Sequence, residues 1–141
     1  MNETLAGHIA LVTGGARGIG RATALKLAHA GCDVALIYHN SHEEAEQVCG
    51  QIRQLGRRAL AIQADVSEPD SVHEAFETFR TQFDRVDFVI SNAALGVLRP
   101  ALELTRKHWR RCLETNALAL NLLAQEAVQA ARAHRPHPAA A

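Results

Sequence analysis

The amino-acid sequence predicts an α/β fold, a doubly wound parallel sheet with helices on both faces, that is incomplete at its C-terminal side. Short apolar runs recur four times in the first 90 residues, and segments with the apolar spacing of helices separate them. Strand–helix–strand units of this length require parallel strands joined by right-handed crossovers. A glycine-rich segment directly follows the first apolar run, which is typical of the same class of fold.

The first two strand–helix units lie in the first 55 residues. Residues 8–13 are nearly all apolar, which suits a strand buried on both faces, and residues 18–30 have helical spacing. Residues 33–38 form the second predicted strand, and the Ser-x-x-Glu spacing that begins at Ser41 indicates a capping box at the start of a second helix. The residues expected to be buried are Ile19, Ala22, Leu25 and Leu27 on the first helix, and Ala45, Val48, Ile52 and Leu55 on the second.

The alternation continues and then gives way to one long helix. Residues 58–63 form the third predicted strand, Pro69 lies in the first turn of a third helix, and residues 86–90 form the fourth strand. The third helix is expected to bury Val72, Phe76 and Phe79, and Phe83 continues the same spacing. A single helix is predicted over roughly residues 105–133, with a stripe formed by Trp109, Leu113, Asn116, Leu120, Leu123 and Ala127.

The composition limits the possible partners. Of 141 residues, 48% are hydrophobic and 21% are charged, which suits one soluble globular domain. We expect this domain over residues 1–130 and a disordered tail over residues 131–141, which contain only Ala, Arg, His and Pro. Fifteen basic residues balance fifteen acidic ones, so we expect no nucleic acid and no membrane as a partner. The start has no basic segment and no apolar run long enough for a signal peptide or a membrane span, so we expect a cytoplasmic protein.

Neither disulfides nor a metal site are expected. Three cysteines without CxxC spacing argue against both, and we interpret Cys32, Cys49 and Cys112 as reduced packing residues. Two closely spaced histidine pairs lack the companion ligands that a metal ion needs, namely His39 with His42 and His134 with His137.

The glycine-rich segment has the properties of a phosphate-binding loop. It begins at Thr13 with the sequence TGGARGIG and lies between the first strand and the first helix. A pyrophosphate binds to backbone N–H groups at the positive end of a helix, and glycines let the chain approach it without a Cβ. The alternative is a glycine-rich turn without a ligand, which this position in the fold disfavours. The candidate binding residues are Gly14, Gly15, Ala16, Arg17, Gly18, Ile19 and Gly20.

Three later stretches complete a pattern that resembles the short-chain dehydrogenase/reductase family. After the TGxxxGxG spacing come Asp65-Val66, Asn92-Ala93-Ala94 and Asn116, and the resemblance covers about residues 5–128. It implies a Rossmann fold in which Asp65 and Val66 meet an adenine and the Asn92-Ala93-Ala94 turn supports the ribose and the sheet. The family usually has glycine at the third position of this turn, so Ala94 narrows its conformational freedom.

The residues after the second strand favour NADP(H) as the cofactor. NAD-preferring enzymes usually place a carboxylate there to bind the ribose 2′-hydroxyl, but this chain has His39, Asn40 and Ser41. A 2′-phosphate is therefore not repelled, and the Arg17 guanidinium can bind it with paired hydrogen bonds. The alternative for Arg17 is an ordinary solvated arginine.

A further resemblance concerns the substrate. Residues 91–100, His108-Trp109 and residues 124–127 are similar to the NADPH-dependent enoyl-acyl-carrier-protein reductases of the FabL type. This resemblance implies a fatty acyl substrate linked to acyl-carrier protein, although related 3-oxoacyl reductases and small-molecule dehydrogenases share the scaffold. A homo-oligomer is also possible on this basis.

The catalytic pair of the family is missing from this sequence. Family members use a tyrosine as proton donor and a nearby lysine, whereas here the only tyrosine is Tyr38 and the only lysines are Lys26 and Lys107. Asn116 is the one catalytic-motif position that is retained, and a local hydrogen-bonding role for it is as plausible as a retained one. Two hypotheses follow: a C-terminally truncated NADPH-dependent reductase that is inactive alone, or a non-catalytic dinucleotide-binding or subunit-pairing module.

Overall fold

A computed structural model describes residues 4–133 of the chain, apart from the side chains of residues 132 and 133. One parallel sheet contains the four strands β1 (Ile9–Thr13), β2 (Asp33–Tyr38), β3 (Ala59–Gln63) and β4 (Phe88–Ile90). The strand order is β3-β2-β1-β4, so the direction of winding reverses at β1. The predicted doubly wound α/β fold is confirmed. Parallel sheets of this kind bind ligands beside such a reversal, at the carboxyl ends of the strands.

Seven helical segments accompany the sheet in the described residues. The connecting helices are α1 (Gly18–His29), α2 (His42–Gln54) and α3 (Pro69–Arg80). After β4 follow a short 3₁₀ turn (Ala101–Glu103), α4 (Arg106–Leu113), a π-helical turn (Glu114–Leu118) and α5 (Ala119–Ala133). The single long helix of the sequence prediction is thus interrupted by a wider turn. Residues 131–133 of the predicted tail are helical, and the rest of that tail lies outside the described residues.

The core has two layers because alternate residues of each strand point to opposite faces of the sheet. Ile9 and Leu11 of β1 pack toward α3 and α5, where Phe76, Phe79 and Phe83 are buried. Ala10 and Val12 pack on the other face, together with buried residues of α1 and α2. Complete burial of β1 explains its uninterrupted apolar sequence.

Two predictions about helices α1 and α2 are wrong in detail. Ile19 is 79% exposed and Ala22 is exposed, whereas the buried residues of α1 are Gly20, Ala24 and Ala28. The small residues face the sheet because α1 starts close against the end of β1. The Ser41 side chain makes no capping hydrogen bond, although α2 does begin at the next residue. The predicted capping box is therefore absent.

Only part of the predicted stripe along the last helices is buried. Leu123 is fully buried against the core, but Trp109 is 59% exposed and Leu113 and Leu120 are each 57% exposed. These three side chains lie on α4 and at the start of α5, and no described element covers them.

An ion-pair network connects α5 with α3. Glu126, whose side chain is 13% exposed, interacts through Oε1 with His73 Nδ1 at 2.8 Å and accepts a hydrogen bond at Oε2 from Arg80 Nη2 at 3.0 Å. Burial alone would raise the pKa of the Glu126 carboxyl, but the hydrogen bonds and positive charges of His73 and Arg80 lower it below its ordinary value. The helix that follows the π turn is therefore held by charge as well as by apolar packing.

Cys32 and Cys49 are buried free thiols, and Cys112 is a half-buried one. No helix in the described part of the chain combines the length and apolar character needed to cross a bilayer.

Candidate functional site

A groove of about 640 Å³ lies at the carboxyl ends of the strands, beside the reversal at β1. Most of the predicted binding residues line it, although they come from four separate stretches of the chain. They are Gly14, Ala16, Arg17, Gly18, Ile19, His39, Asn40, Ser41, Asp65, Val66, Asn92, Ala93 and Ala94. Gly15, Gly20 and Asn116 are the predicted residues that do not line the groove.

The glycine loop turns tightly between β1 and α1. Gly14 has φ 63° and Gly18 has φ 51°, values in the left-handed region that favours glycine. The backbone N–H groups of Gly14 and Gly15 donate to the Ile37 carbonyl at 2.8 and 3.3 Å, which fixes the loop against β2. No side chain caps the start of α1. The first N–H groups of this helix are therefore available to an anion in the groove.

Gly20 and Gly15 are needed for packing beneath the loop. A Cβ at Gly20 would lie 2.1 Å from the Gly14 carbonyl oxygen and 2.6 Å from Asn92 Nδ2. A Cβ at Gly15 would lie 2.6 Å from Leu36 Cδ2. The two Gly20 distances are shorter than real Cβ contacts, and a Cβ at Gly15 would force the Leu36 side chain to move, so both glycines are important for the packing beneath the loop.

Thr13 joins the loop to the end of β4, and the sequence analysis did not select it as a site residue. Its hydroxyl, completely buried, accepts the backbone N–H groups of Asn92 and Ala93, each at 3.0 Å. Asn92 in turn donates from Nδ2 to the carbonyl oxygens of Thr13 at 2.9 Å and Gly14 at 3.3 Å. The first position of the TGxxxGxG pattern was the available signal. Ala94 follows with a negative φ, so its turn does not require glycine.

Asn116 lies in the π turn and pairs with a distant backbone segment rather than a local one. Its Oδ1 accepts the Leu95 N–H at 2.8 Å, and its Nδ2 donates to the Leu95 carbonyl at 2.9 Å. This two-point contact joins the helical segment to the loop that follows Asn92-Ala93-Ala94. Asn116 therefore positions one wall of the groove without lining it.

The end of β2 forms a corner with basic and polar groups. The Arg17 side chain is exposed and makes no hydrogen bond or ion pair within residues 4–133. His39 Nε2 lies 3.8 Å from Asp65 Oδ2. Tyr38, the only tyrosine, shares a 2.6 Å hydrogen bond with His42 Nδ1. No carboxylate stands at the end of β2 itself.

Asp65 is the acidic group that lines the groove in the described part of the chain. Its Oδ1 accepts from the Ser67 N–H at 2.9 Å and from the Ser67 hydroxyl at 2.6 Å. Partial burial alone would raise the pKa of this carboxyl, but the Ser67 hydrogen bonds and the attraction of His39 and Arg111 lower it below its ordinary value. Asp65 is therefore a charged hydrogen-bond acceptor at neutral pH.

The sequence analysis missed the wall formed by α4 and the π turn. Arg111 and Thr115, four residues apart, both line the groove. Leu95 and Ser67 line it as well and were also missed. The described residues contain no cluster of three possible metal ligands, and the second histidine pair lies outside them.

Comparison with known proteins relates this groove to a large family. Residues 8–135 match the sequence profile of short chain dehydrogenases. The chain is 36% identical to a hydroxynaphthalene reductase-like protein from Metarhizium anisopliae, over 89% of this chain and 47% of the relative. It is 37% identical to the versicolorin reductase of Emericella nidulans, over 89% of this chain and 48% of the relative. The chain thus spans about half the length of the curated relatives it matches.

Two solved structures extend the comparison to three dimensions. A short chain dehydrogenase from Burkholderia cenocepacia in complex with NADP is 40% identical, with a TM-score of 0.86 over 89% of this chain and 51% of that one. A blue fluorescent protein from a metagenomic library in complex with NADPH is 36% identical, with a TM-score of 0.85 over 89% of this chain and 52% of that one.

Proposed function

This chain belongs to the short-chain dehydrogenase family, and we propose that its groove binds NADP(H) and serves a reductase. The observation that carries the proposal is the convergence of the glycine loop, Arg17 and Asp65 on one groove at the carboxyl ends of the strands. The loop supplies backbone N–H groups for a pyrophosphate, and Asp65 accepts a hydrogen bond from an adenine amino group. The two solved relatives are complexes with NADP and NADPH, which supports the same assignment.

The corner beside β2 supports NADPH over NADH. Arg17 is exposed at the rim of the groove, and His39, Asn40 and Ser41 line it without a carboxylate. A 2′-phosphate placed there meets hydrogen-bond donors and a guanidinium, whereas a ribose 2′-hydroxyl finds no carboxylate at the end of β2 to accept its hydrogen bond. Preference for the phosphorylated cofactor follows from this difference.

The reaction of the whole protein is proposed to be reduction of an aromatic ketone. NADPH, when bound, supplies the hydride that such a reduction needs. The named relatives are a hydroxynaphthalene reductase-like protein and a versicolorin reductase, which favours a hydroxylated aromatic substrate. They do not support the enoyl-acyl-carrier-protein substrate expected from the sequence, which remains the second substrate class to test.

The test of the cofactor proposal is a fluorescence titration of the purified chain with NADPH and with NADH. We expect saturable binding of both cofactors and a lower Kd for NADPH. A Kd for NADH equal to or lower than that for NADPH would contradict the role of the β2 corner. No binding of either cofactor would contradict the proposed function as a whole.

A second candidate is a non-catalytic module that binds a dinucleotide or pairs with another subunit. The observation that favours it is the absence of a tyrosine–lysine pair near the groove in the described residues, together with the exposed apolar side chains Trp109, Leu113 and Leu120. Size-exclusion chromatography with light scattering tests the pairing role, because a pairing module forms a defined dimer at micromolar concentration, and a monomer at that concentration would contradict it.

A further inference from the structure

The wall of the groove formed by α4 and the π turn carries a cation with no assigned role. Arg111 and Thr115 are one helical turn apart, so both side chains reach the groove. The neighbouring Arg110 does not line the groove, and its Nε donates to Glu114 Oε1 at 2.7 Å. Two adjacent arginines on one helix therefore have different surroundings, one open to the groove and one engaged in an ion pair.

Arg111 and Asp65 line the same groove. The Arg111 side chain is exposed and makes no hydrogen bond or ion pair within the described residues, yet its charge helps to lower the pKa of the Asp65 carboxyl. The Oδ1 atom of Asp65 is already occupied by Ser67. Because the Arg111 side chain has no partner among the described residues, it can contact a ligand whose amino group donates to the remaining acceptor positions of Asp65.

We propose that Arg111 is a further cofactor-binding residue that contacts the adenine ring of the dinucleotide from the α4 side of the groove. The inference rests on the proposed binding of NADP(H). A guanidinium is planar, so it stacks on an aromatic ring or donates hydrogen bonds to ring nitrogens. Because the adenine is common to both cofactors, Arg111 contributes equally to NADPH and NADH, whereas Arg17 contributes to NADPH alone.

The experiment compares Arg111→Ala with Arg110→Ala, which removes the same charge from the same helix outside the groove. Each variant is titrated with NADPH and NADH by fluorescence, and with ADP as a competitor that carries the adenine but no nicotinamide. We expect Arg111→Ala to raise the Kd of all three ligands about three- to tenfold, the range of an arginine–aromatic contact. Arg110→Ala is expected to leave all three unchanged, and circular dichroism should show the same helix content in both variants.

The possible outcomes are distinguishable. Unchanged Kd values in Arg111→Ala, with normal binding by the unmodified chain, overturn this inference alone. A loss confined to NADPH would assign Arg111 to the 2′-phosphate and overturn its contact with the adenine. An equal rise of the Kd values in Arg110→Ala would show a general effect of positive charge on this helix and overturn a specific contact by Arg111. No binding by the unmodified chain would overturn the proposed function and this inference together.

Discussion

Replacement of Gly20 by alanine should destabilise the protein, although alanine is the better helix former. The added Cβ would lie 2.1 Å from the Gly14 carbonyl oxygen and 2.6 Å from Asn92 Nδ2, so the loop or the asparagine must move. Either movement disturbs the two hydrogen bonds that Asn92 donates to the carbonyls of Thr13 and Gly14. The substitution therefore acts on the junction between β1 and β4 and not on α1 alone.

The expected magnitude follows from three contributions. Overpacking of this kind costs about 1–3 kcal/mol. Loss of the two Asn92 hydrogen bonds adds about 1 kcal/mol each. The higher helix propensity of alanine offsets about 1 kcal/mol of this loss. The free energy of unfolding should therefore fall by about 2–4 kcal/mol.

Gly50 provides the matched control, because it lies inside α2 and a Cβ there would meet no atom within 4 Å. Gly50→Ala should raise the free energy of unfolding by about 0.5–1 kcal/mol. Urea denaturation followed by circular dichroism at about 222 nm, the band of helical backbone, measures both variants. A Gly20→Ala protein as stable as the unmodified chain would refute the packing argument.

Three further predictions concern cofactor choice, turnover and pH. Arg17→Ala should raise the Kd of NADPH about tenfold and leave that of NADH nearly unchanged in a fluorescence titration, and equal losses would exclude contact with the 2′-phosphate. The 141-residue chain should not oxidise NADPH, followed by absorbance, with an aromatic ketone or an acyl thioester, because Tyr38 is engaged with His42 and proton donation contributes about 10²- to 10⁴-fold. In urea titrations, the difference in unfolding free energy between the unmodified chain and Glu126→Gln should shrink as the pH falls from about 5 to about 3. The pKa of the Glu126 carboxyl is lowered in the folded protein, so its stabilising contribution is lost only as the pH falls through this lowered pKa.

The glycine loop could be predicted from sequence because its geometry restricts residue type. Positive φ at Gly14 and Gly18, and the absence of room for a Cβ at Gly20, are requirements that only glycine meets well. The same holds for β1, whose burial on both faces demands an apolar run. Such requirements are local, so they leave a readable pattern in the sequence.

Other parts of the site depend on tertiary position and leave no such pattern. Arg110 and Arg111 are adjacent residues of the same type, so the sequence alone does not distinguish them. Only the placement of α4 against the groove does. The capping box at Ser41 had the right spacing, yet the helix start adopted a geometry in which the serine side chain does not cap it. A spacing rule states which hydrogen bonds are available, and the surrounding structure decides which of them form.

The π turn explains why the predicted stripe on the last helix is buried only in part. A constant period of 3.6 residues places Trp109, Leu113 and Leu123 on one face. A π turn contains about one additional residue, which rotates everything after it by roughly 100° relative to everything before it. Leu123 therefore packs into the core on a different side from Trp109 and Leu113, which remain exposed, and Leu120, three residues before Leu123, is exposed as well. The same turn holds Asn116, whose amide binds both backbone groups of Leu95, so the irregular turn coincides with the point where this segment fixes the loop at the groove.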